Sequence, residues 1–501
     1  MYLYEPPRRS ILTGLPFQLH PPPPMSLTFH DYRNFDALGL ADALRRGAVS
    51  RQEVMDAAMA RIAEVNPQVN AITYLHEGAA DPSGPAGAGP DAPFSGVPYL
   101  IKDLHAPVAG MPLTHGSRLF AGDTHSFDSE TVARLRRAGF IILGRTASPE
   151  FGMSGSTEPA LTGPTRNPWN LAHSSGGSSG GAGAAVASGM LPASHATDSG
   201  GSIRIPASCN GLVGLKPTRG LLPTGPHRGE ASHGLSHEHA LTRSVRDCAA
   251  ILDATAGPDT GAPYFTTPHA GSYLAALRQP LRPLRMSFTT TTFAGKAVDP
   301  ECQEAVENTV RVLRDLGHQV EERRPEFDGP TLGAACGVLL LTGLSASVAA
   351  REQQLGRSAR EDELEPVTRA AIALGRQVTG VHYASRFGVI NREVRRIGHF
   401  FETTDILITP SLATPPVPLG TLSTQTLTLD QFQQAMAAYC PFTGAFNATG
   451  QPAMSLPLHW SSTGLPVGVQ LVAGFGADAL LLQLAAQLEQ AMPWFQRTPS
   501  P

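Results

Sequence analysis

Apolar residues recur at helical spacing between residues 50 and 67. They share one face of the predicted helix: Val54, Ala58, Ile62 and Val65. Ser50 stands three residues before Glu53, which is the spacing of a capping box at a helix N-terminus. Because proline has no backbone N–H to continue a helix, the pattern predicts an amphipathic helix that begins after Ser50 and ends at Pro67.

Short apolar runs alternate with further helical patterns over the rest of the chain. Runs typical of strands cover 97–101, 140–143, 284–288, 405–409, 453–458 and 467–472. Helical patterns cover 131–137, 182–187 and 479–488. Another helix is predicted with Asp299 as N-cap, Pro300 as first helical residue and Gly317 as stop. The alternation of strands and helices predicts an α/β protein.

We predict a single large domain, residues 29–498, in which a sheet is covered by helices on both faces. No internal repeat or long polar linker divides it. Residues 77–93 are rich in glycine, alanine, proline and aspartate and predict only a loop. Residues 1–28, which include four successive prolines, predict either a flexible N-terminal extension or an overlong start of the gene.

The composition excludes several classes of function. The 501 residues carry a net charge of −4 without clusters of lysine and arginine, so no nucleic-acid partner is expected. No stretch reaches the roughly eighteen apolar residues of a membrane span, and the N-terminus lacks a signal peptide's apolar core. We therefore expect no membrane partner and predict a cytoplasmic protein. Five cysteines without Cys-x-x-Cys spacing argue against a disulfide framework or a zinc site.

Lysine is scarce, and this makes each lysine a candidate for special chemistry. Three of the 38 basic residues are lysine: Lys102, Lys216 and Lys296. Arginine is never deprotonated in proteins, whereas a buried lysine can be neutral and act as a base. Lys102 follows the predicted strand 97–101, so it is the first candidate for a base.

A segment rich in glycine and serine, from Ser174 to Ser202, is the second candidate. Such runs are most often flexible linkers, but the small-residue helix 182–187 interrupts this one and a second Gly-Gly-Ser follows it. Residues 176–180 also match the Gly-x-Ser-x-Gly nucleophile elbow, which requires a buried strand before the serine. Residues 170–175 are polar and predict a loop, so we favour a Ser/Lys hydrolase.

Together these segments resemble the amidase signature family. The likeness rests on Lys102, on Gly-Gly-Ser-Ser-Gly-Gly at 176–181 and on Asp-Ser-Gly-Gly-Ser-Ile-Arg-Ile-Pro-Ala at 198–207. It continues through 144–152, 163–170, 211–218, 446–453 and 464–470. The resemblance implies a mixed β-sheet and a catalytic domain at 29–498. Segments 96–104, 165–171 and 300–303 are similar to bacterial members that cleave cyclic or linear aminohexanoate amides.

Carried over position by position, the resemblance implies a catalytic triad. Ser202 would be the nucleophile, Ser178 a bridging serine held by a cis peptide bond, and Lys102 the base. The chemistry is reasonable, since a serine hydroxyl attacks a carbonyl only when a base takes its proton. A neutral lysine can take that proton through a second hydroxyl, which requires a pKa well below the reference of about 10.4.

The resemblance also implies supporting roles around the triad. The backbone N–H groups of Ser199, Gly200, Gly201 and Ser202 would form the oxyanion hole. The expected supporting side chains are Ser179, as a hydrogen-bond partner of Lys102, and Asp198 with Arg204, as a buried pair. The expected substrate-binding residues are Met153, Ser154 and Gly155.

Other reactive side chains are assigned no catalytic role. Lys216 matches a structural position of the family, and Cys336 lies in an apolar run and predicts a core position. No metal-binding motif accompanies His233, His237 and His239, which predict a polar surface loop.

We predict an amidase that hydrolyses small carboxamides through an acyl-enzyme, without cofactor or metal. Aryl amides, aminohexanoate oligomers and carbamates remain alternatives for the substrate. A rival function is the glutaminase subunit of a tRNA-dependent amidotransferase, although Leu104 stands where that subgroup usually has Asn. A second rival is a non-catalytic binding protein with the same fold. Homodimers are common among relatives, and the sequence leaves this open.

Overall fold

The computed structural model of the chain describes residues 27–76, 78, 92–296 and 298–499. The predicted N-terminal extension, 1–28, and the predicted loop, 77–93, lie almost entirely outside the described residues.

The described residues form the following strands: β1 (Ile72–Leu75), β2 (Pro98–Lys102), β3 (Ile141–Thr146), β4 (Arg166–Asn167), β5 (Asn170–Ser174), β6 (Ala193–Asp198), β7 (Val213–Lys216), β8 (His237–Thr242), β9 (Arg285–Phe288), β10 (Gln319–Glu322), β11 (Ile406–Pro410), β12 (Ala453–Trp460) and β13 (Pro466–Ala473).

Their helices are α1 (Phe29–Tyr32), α2 (Ala37–Arg45), α3 (Arg51–Val69), α4 (Glu130–Arg137), α5 (Gly180–Ala187), α6 (Arg204–Asn210), α7 (Val245–Thr255), α8 (Tyr273–Ala276), α9 (Pro300–Asp315), α10 (Gly329–Leu355), α11 (Pro366–Gly375), α12 (Gly380–Phe400), α13 (Leu429–Tyr439), α14 (Gly444–Thr449) and α15 (Asp478–Ala491).

The large sheet is mixed, as predicted. Its eight strands lie in the order β10-β9-β11-β13-β12-β7-β8-β6 within the described residues. Strand β9 pairs in parallel with β10 and β11, and the other neighbours are antiparallel. Helices cover both faces of this sheet. Alternate residues of β13 point to opposite faces and contact different helices. Val469 and Leu471 belong to the core that includes α9 and α15, whereas Gly468 and Gln470 contact α6.

A second sheet carries Lys102, which the sequence did not separate from the first. It has the order β1-β3-β2, with β2 parallel to β3. The two sheets meet where Ser194 Oγ of β6 donates to Leu100 O of β2 at 3.1 Å. The carboxyl ends of β2 and β6 therefore lie side by side, and both lead into the site described below.

The predicted element boundaries agree closely with the structure where local signals are strong. Asp299 caps α9 with Pro300 in the first turn, as predicted. Helix α3 has the predicted capping box at Ser50 but continues past Pro67. It ends only at Val69, which is fully buried, so packing of the last turn outweighs the one hydrogen bond that proline removes.

Helix α10 corrects one expectation. In length and composition this 27-residue helix meets the requirement for crossing a membrane, although the sequence was expected to contain no such stretch. The core helix of a soluble protein can meet the same requirement. Part of α10 packs within the protein, since Leu332, Ala335 and Leu339 are buried beside residues of α12 and α14.

Candidate active site

Lys102 lies at the end of β2 with its amine enclosed by protein. Its side chain is 0 % exposed. Nζ lies 2.7 Å from Ser178 Oγ and 2.9 Å from Thr197 Oγ1. Burial lowers the pKa of Lys102 well below its ordinary value, and the charges of Asp198 and Glu238 only partly oppose this. The predicted buried, deprotonatable lysine is therefore present, with two hydroxyl groups as its partners.

Ser178 reaches Lys102 from a tight turn before α5. The Gly177–Ser178 peptide bond is cis. A Cβ at residue 177 would lie 2.3 Å from Ser154 O and 2.7 Å from Ser156 N, so only glycine fits there. This close approach directs Ser178 towards the end of β2.

Ser202 lies in the loop between β6 and α6 and is half-buried. Among the described residues its Oγ forms no hydrogen bond, and no bond joins it to Ser178 Oγ. The hydrogen-bonded contact predicted for the triad is therefore present between Lys102 and Ser178 only.

The loop before Ser202 presents backbone N–H groups in the predicted place, with one exception. The Gly201 N–H donates to Asp198 Oδ1 at 2.7 Å, so it is not free to bind an oxyanion. Within the described residues, the N–H groups of Ser199, Gly200 and Ser202 have no acceptor. Gly200 is exposed, which leaves this side of the loop open.

Asp198 and Arg204 form the predicted buried pair. Both side chains are 0 % exposed, and the guanidinium donates to the two carboxylate oxygens at 2.9 Å each. Burial opposes ionisation of Asp198, but the charge and hydrogen bonds of Arg204 outweigh it and hold the pKa of Asp198 below its usual value.

Three further residues complete this network, and sequence reasoning assigned them no role. Arg204 also donates to Thr443 O at 2.9 Å, Gln470 Oε1 at 2.7 Å and Asn447 Oδ1 at 2.6 Å. Asn447 and Gln470 lie in the segments 446–453 and 464–470, which resemble the family, and this likeness was the signal that could have identified them. The network ties the loop before Ser202 to α14 and β13.

Comparison with known proteins agrees with this arrangement. The amidase family model matches residues 53–482. The chain belongs to the amidase signature family. It is 38 % identical over 481 residues to the 6-aminohexanoate-cyclic-dimer hydrolase of Paenarthrobacter ureafaciens, covering 93 % of this chain and 96 % of that one. The acylamidase of Rhodococcus erythropolis is 33 % identical over 474 residues, covering 93 % and 97 %.

A solved structure of a 6-aminohexanoate cyclic dimer hydrolase complexed with substrate superposes with a TM-score of 0.88. It is 36 % identical and covers 93 % of this chain and 99 % of that one. Both the fold and the amidase class of this chain are thus established.

One predicted contact in this amidase is wrong. Ser179 Oγ donates to Thr197 O at 3.2 Å and accepts from Thr197 N at 3.3 Å, and it does not bond to Lys102. The second hydroxyl at the amine belongs to Thr197 instead. Ser179 therefore joins α5 to β6, whereas Thr197 is the residue that sequence reasoning missed.

The residues expected to bind substrate lie against the turn that holds Ser178. Ser154 and Gly155 are buried, and Met153 is half-buried. Ser154 Oγ donates to Leu422 O at 3.0 Å. Because Ser154 and Gly155 pack on Gly177, they shape this turn, and Met153 is the most accessible of the three.

The remaining candidates are placed away from the amine of Lys102. Lys216 is also fully buried with a lowered pKa, but within the described part of the chain its Nζ donates to Pro217 O alone, at 2.8 Å. A lowered pKa alone therefore does not single out Lys102; its two hydroxyl partners do. Burial raises the pKa of Cys336 to about 11, so this half-buried thiol is a poor nucleophile.

Two sequence interpretations need correction here. His237 and His239 are buried in β8 rather than in a polar surface loop. Residues 170–174 form β5, an exposed strand paired with β4, rather than a loop. Within the described ranges, no group of histidine, cysteine, aspartate and glutamate side chains is arranged to hold a metal ion.

Proposed function

We propose that this amidase hydrolyses small carboxamides with Ser202 as nucleophile, Ser178 as bridge and Lys102 as base. The observation that carries the proposal is the 2.7 Å contact of Lys102 Nζ with Ser178 Oγ, both on buried side chains. Because burial lowers the pKa of Lys102, the neutral amine with its free electron pair becomes accessible at a lower pH than for an ordinary lysine.

The first half of the reaction forms an ester. Lys102 takes the proton of Ser178 while Ser178 takes that of Ser202, and Ser202 Oγ bonds to the carbonyl carbon. The negative charge on the carbonyl oxygen is stabilised by the N–H groups of Ser199, Gly200 and Ser202. The C–N bond then breaks as Ser178 gives a proton to the leaving amine and regains one from Lys102.

The second half removes the acyl group. Water attacks the ester carbonyl carbon and gives a proton to Ser178 while Ser178 gives its own proton to Lys102. The C–O bond to Ser202 then breaks as Ser178 protonates Ser202 Oγ and regains a proton from Lys102. The products are a carboxylic acid, an amine and the original enzyme, so no cofactor enters the balance. Both halves of the reaction require a hydrogen bond between Ser178 and Ser202. We propose that the Ser202 side chain rotates to form this bond when substrate is bound, since such contacts often tighten only in the complex.

The names of the relatives support amides of aminohexanoate units or acyl amides as substrates. The amide bond that is cleaved carries no charge in either class of substrate. Binding it beside the buried amine of Lys102 therefore does not require the desolvation of a further charged group. We propose cyclic and linear aminohexanoate amides as the first class to assay and aryl amides as the second.

The test is a panel of amides, esters and carbamates assayed with the wild type and with Ser202→Ala and Lys102→Ala. Exposed Ser462→Ala and Lys296→Ala are the matched controls. We expect kcat to fall by about 10⁴-fold or more for the first two variants and to stay unchanged for the controls. A sulfonyl fluoride probe should label the wild type at Ser202. Activity of Ser202→Ala near the wild-type level would refute the proposal, and hydrolysis restricted to glutamine would favour the glutaminase rival.

A further inference from the structure

Glu238 lies one strand away from the amine of Lys102, although nothing in the sequence connects the two. In the antiparallel pair β6 and β8, Thr197 stands directly opposite Glu238. Residues opposite each other in such a pair project from the same face of the sheet. Thr197 Oγ1 is 2.9 Å from Lys102 Nζ, and the charge of Glu238 acts on the same amine.

His195 forms a second connection between the same two residues. It precedes Thr197 by two positions and therefore projects from the same face of β6. Its ring is 0 % exposed, with Nε2 3.4 Å from Glu238 Oε2 and Nδ1 3.4 Å from the backbone N of Lys102. A buried imidazole thus lies between the carboxylate and the end of β2.

The other side of Glu238 faces a cavity of about 270 Å³. Its wall also includes His105, Phe151 and Arg228. Arg228 lines the same cavity, interacts electrostatically with Glu238 and donates to His105 O at 3.3 Å. The side chain of Glu238 is 10 % exposed, so the cavity gives solvent access to a carboxylate that would otherwise be costly to bury as an ion.

We propose that Glu238 is a positioning residue for the base: it orients Lys102 through His195, and its negative charge favours the protonated form of the amine. This rests on the function proposed above. It adds a regulating element to that site, a carboxylate that limits how far burial can drive Lys102 towards the neutral form.

The groups that face Lys102 determine the direction in which its pKa changes when Glu238 is replaced. Burial lowers its pKa, and the charges of Asp198 and Glu238 raise it. The other titratable or charged groups close to it are His195 on β6, His105 after β2 and Arg145 on β3, whose guanidinium lies 3.4 Å from Lys102 O. Removing the charge of Glu238 should therefore lower the pKa of Lys102 further.

The experiment is the pH dependence of kcat/KM for Glu238→Gln, which keeps the shape of the side chain and removes its charge. We expect the acid limb of the profile to move to lower pH, while the alkaline plateau falls by at most about tenfold because one hydrogen bond is weakened. The control is Glu230→Gln, the same chemical change at an exposed carboxylate near Tyr264, and it should leave the limb in place. A limb that stays in place or moves to higher pH in Glu238→Gln overturns the proposal.

A second pair of variants keeps the proposal testable if Glu238→Gln folds poorly. Glu238→Ala also removes the charge and should move the limb to lower pH. Glu238→Asp retains the charge and should retain the wild-type limb. Equal shifts in Glu238→Ala and Glu238→Asp, or a wild-type limb in Glu238→Ala, would count against a role for the charge.

Failure of this inference can be told apart from failure of the proposed function. If Lys102→Ala keeps wild-type activity, the base itself is wrong. If Lys102→Ala is inactive and the profile of Glu238→Gln matches the wild type, Lys102 remains the base and the role of Glu238 alone is refuted.

Discussion

Arg204→Met tests whether the buried charge pair holds the loop that carries Ser202. The guanidinium of Arg204 donates to both carboxylate oxygens of Asp198 and to acceptors on α14 and β13, and neither partner of the pair is exposed. Removing one partner of a buried pair leaves an uncompensated charge and destabilises a protein by about 3–5 kcal/mol.

This free energy corresponds to a measurable change in melting temperature. For a chain of 501 residues the entropy of unfolding is about 1 kcal/mol per kelvin, at about 2.1 cal/mol per kelvin for each residue. A loss of about 4 kcal/mol therefore lowers Tm by about 4 °C. We also expect kcat to fall about 100-fold, because the N–H groups around Ser202 lose their fixed positions.

Differential scanning calorimetry with Arg46→Met as control provides the assay. Arg46 also binds an aspartate, Asp42, at 2.9 Å, but the two side chains are 65 % and 50 % exposed. Solvent screening limits such pairs to about 1 kcal/mol, so Tm should fall by at most about 1 °C. A decrease in Arg204→Met no larger than that in Arg46→Met would refute the reasoning.

Three further outcomes follow from the geometry. Gly177→Ala should abolish activity and lower the yield of folded protein in a solubility assay, because its Cβ would lie 2.3 Å from Ser154 O; a fully active variant would contradict this. Ser179→Ala should keep kcat within about tenfold of the wild type, since Ser179 bonds to Thr197 rather than to Lys102. A loss above about 100-fold would instead support the bond to Lys102 that the sequence predicted. Lys102→Met should raise Tm at pH 7 by at least about 1 °C while eliminating activity, because burying an amine is unfavourable. The folded pKa of Lys102 is below its unfolded value of 10.5, so this stability gain should diminish as pH rises towards that value, and a gain independent of pH would contradict it.

Local sequence patterns determined much of the fold of this amidase. Capping at Ser50 and Asp299 appears where the spacing of side chains predicts it, because a cap depends on residues three or fewer positions apart. The end of α3 was predicted two residues early, because the burial of Val69 depends on packing partners elsewhere in the chain.

The partners in the site were decided by the tertiary structure. Thr197 reaches Lys102 across 95 positions of the chain, and Asn447 reaches Arg204 across 243. Resemblance to a family identified the three residues of the proposed triad, but it assigned the second hydroxyl at the amine to Ser179. The sequence determines which residues can carry charge or donate hydrogen bonds; which of them meet depends on how two sheets and a helix pack, and no local pattern encodes that arrangement.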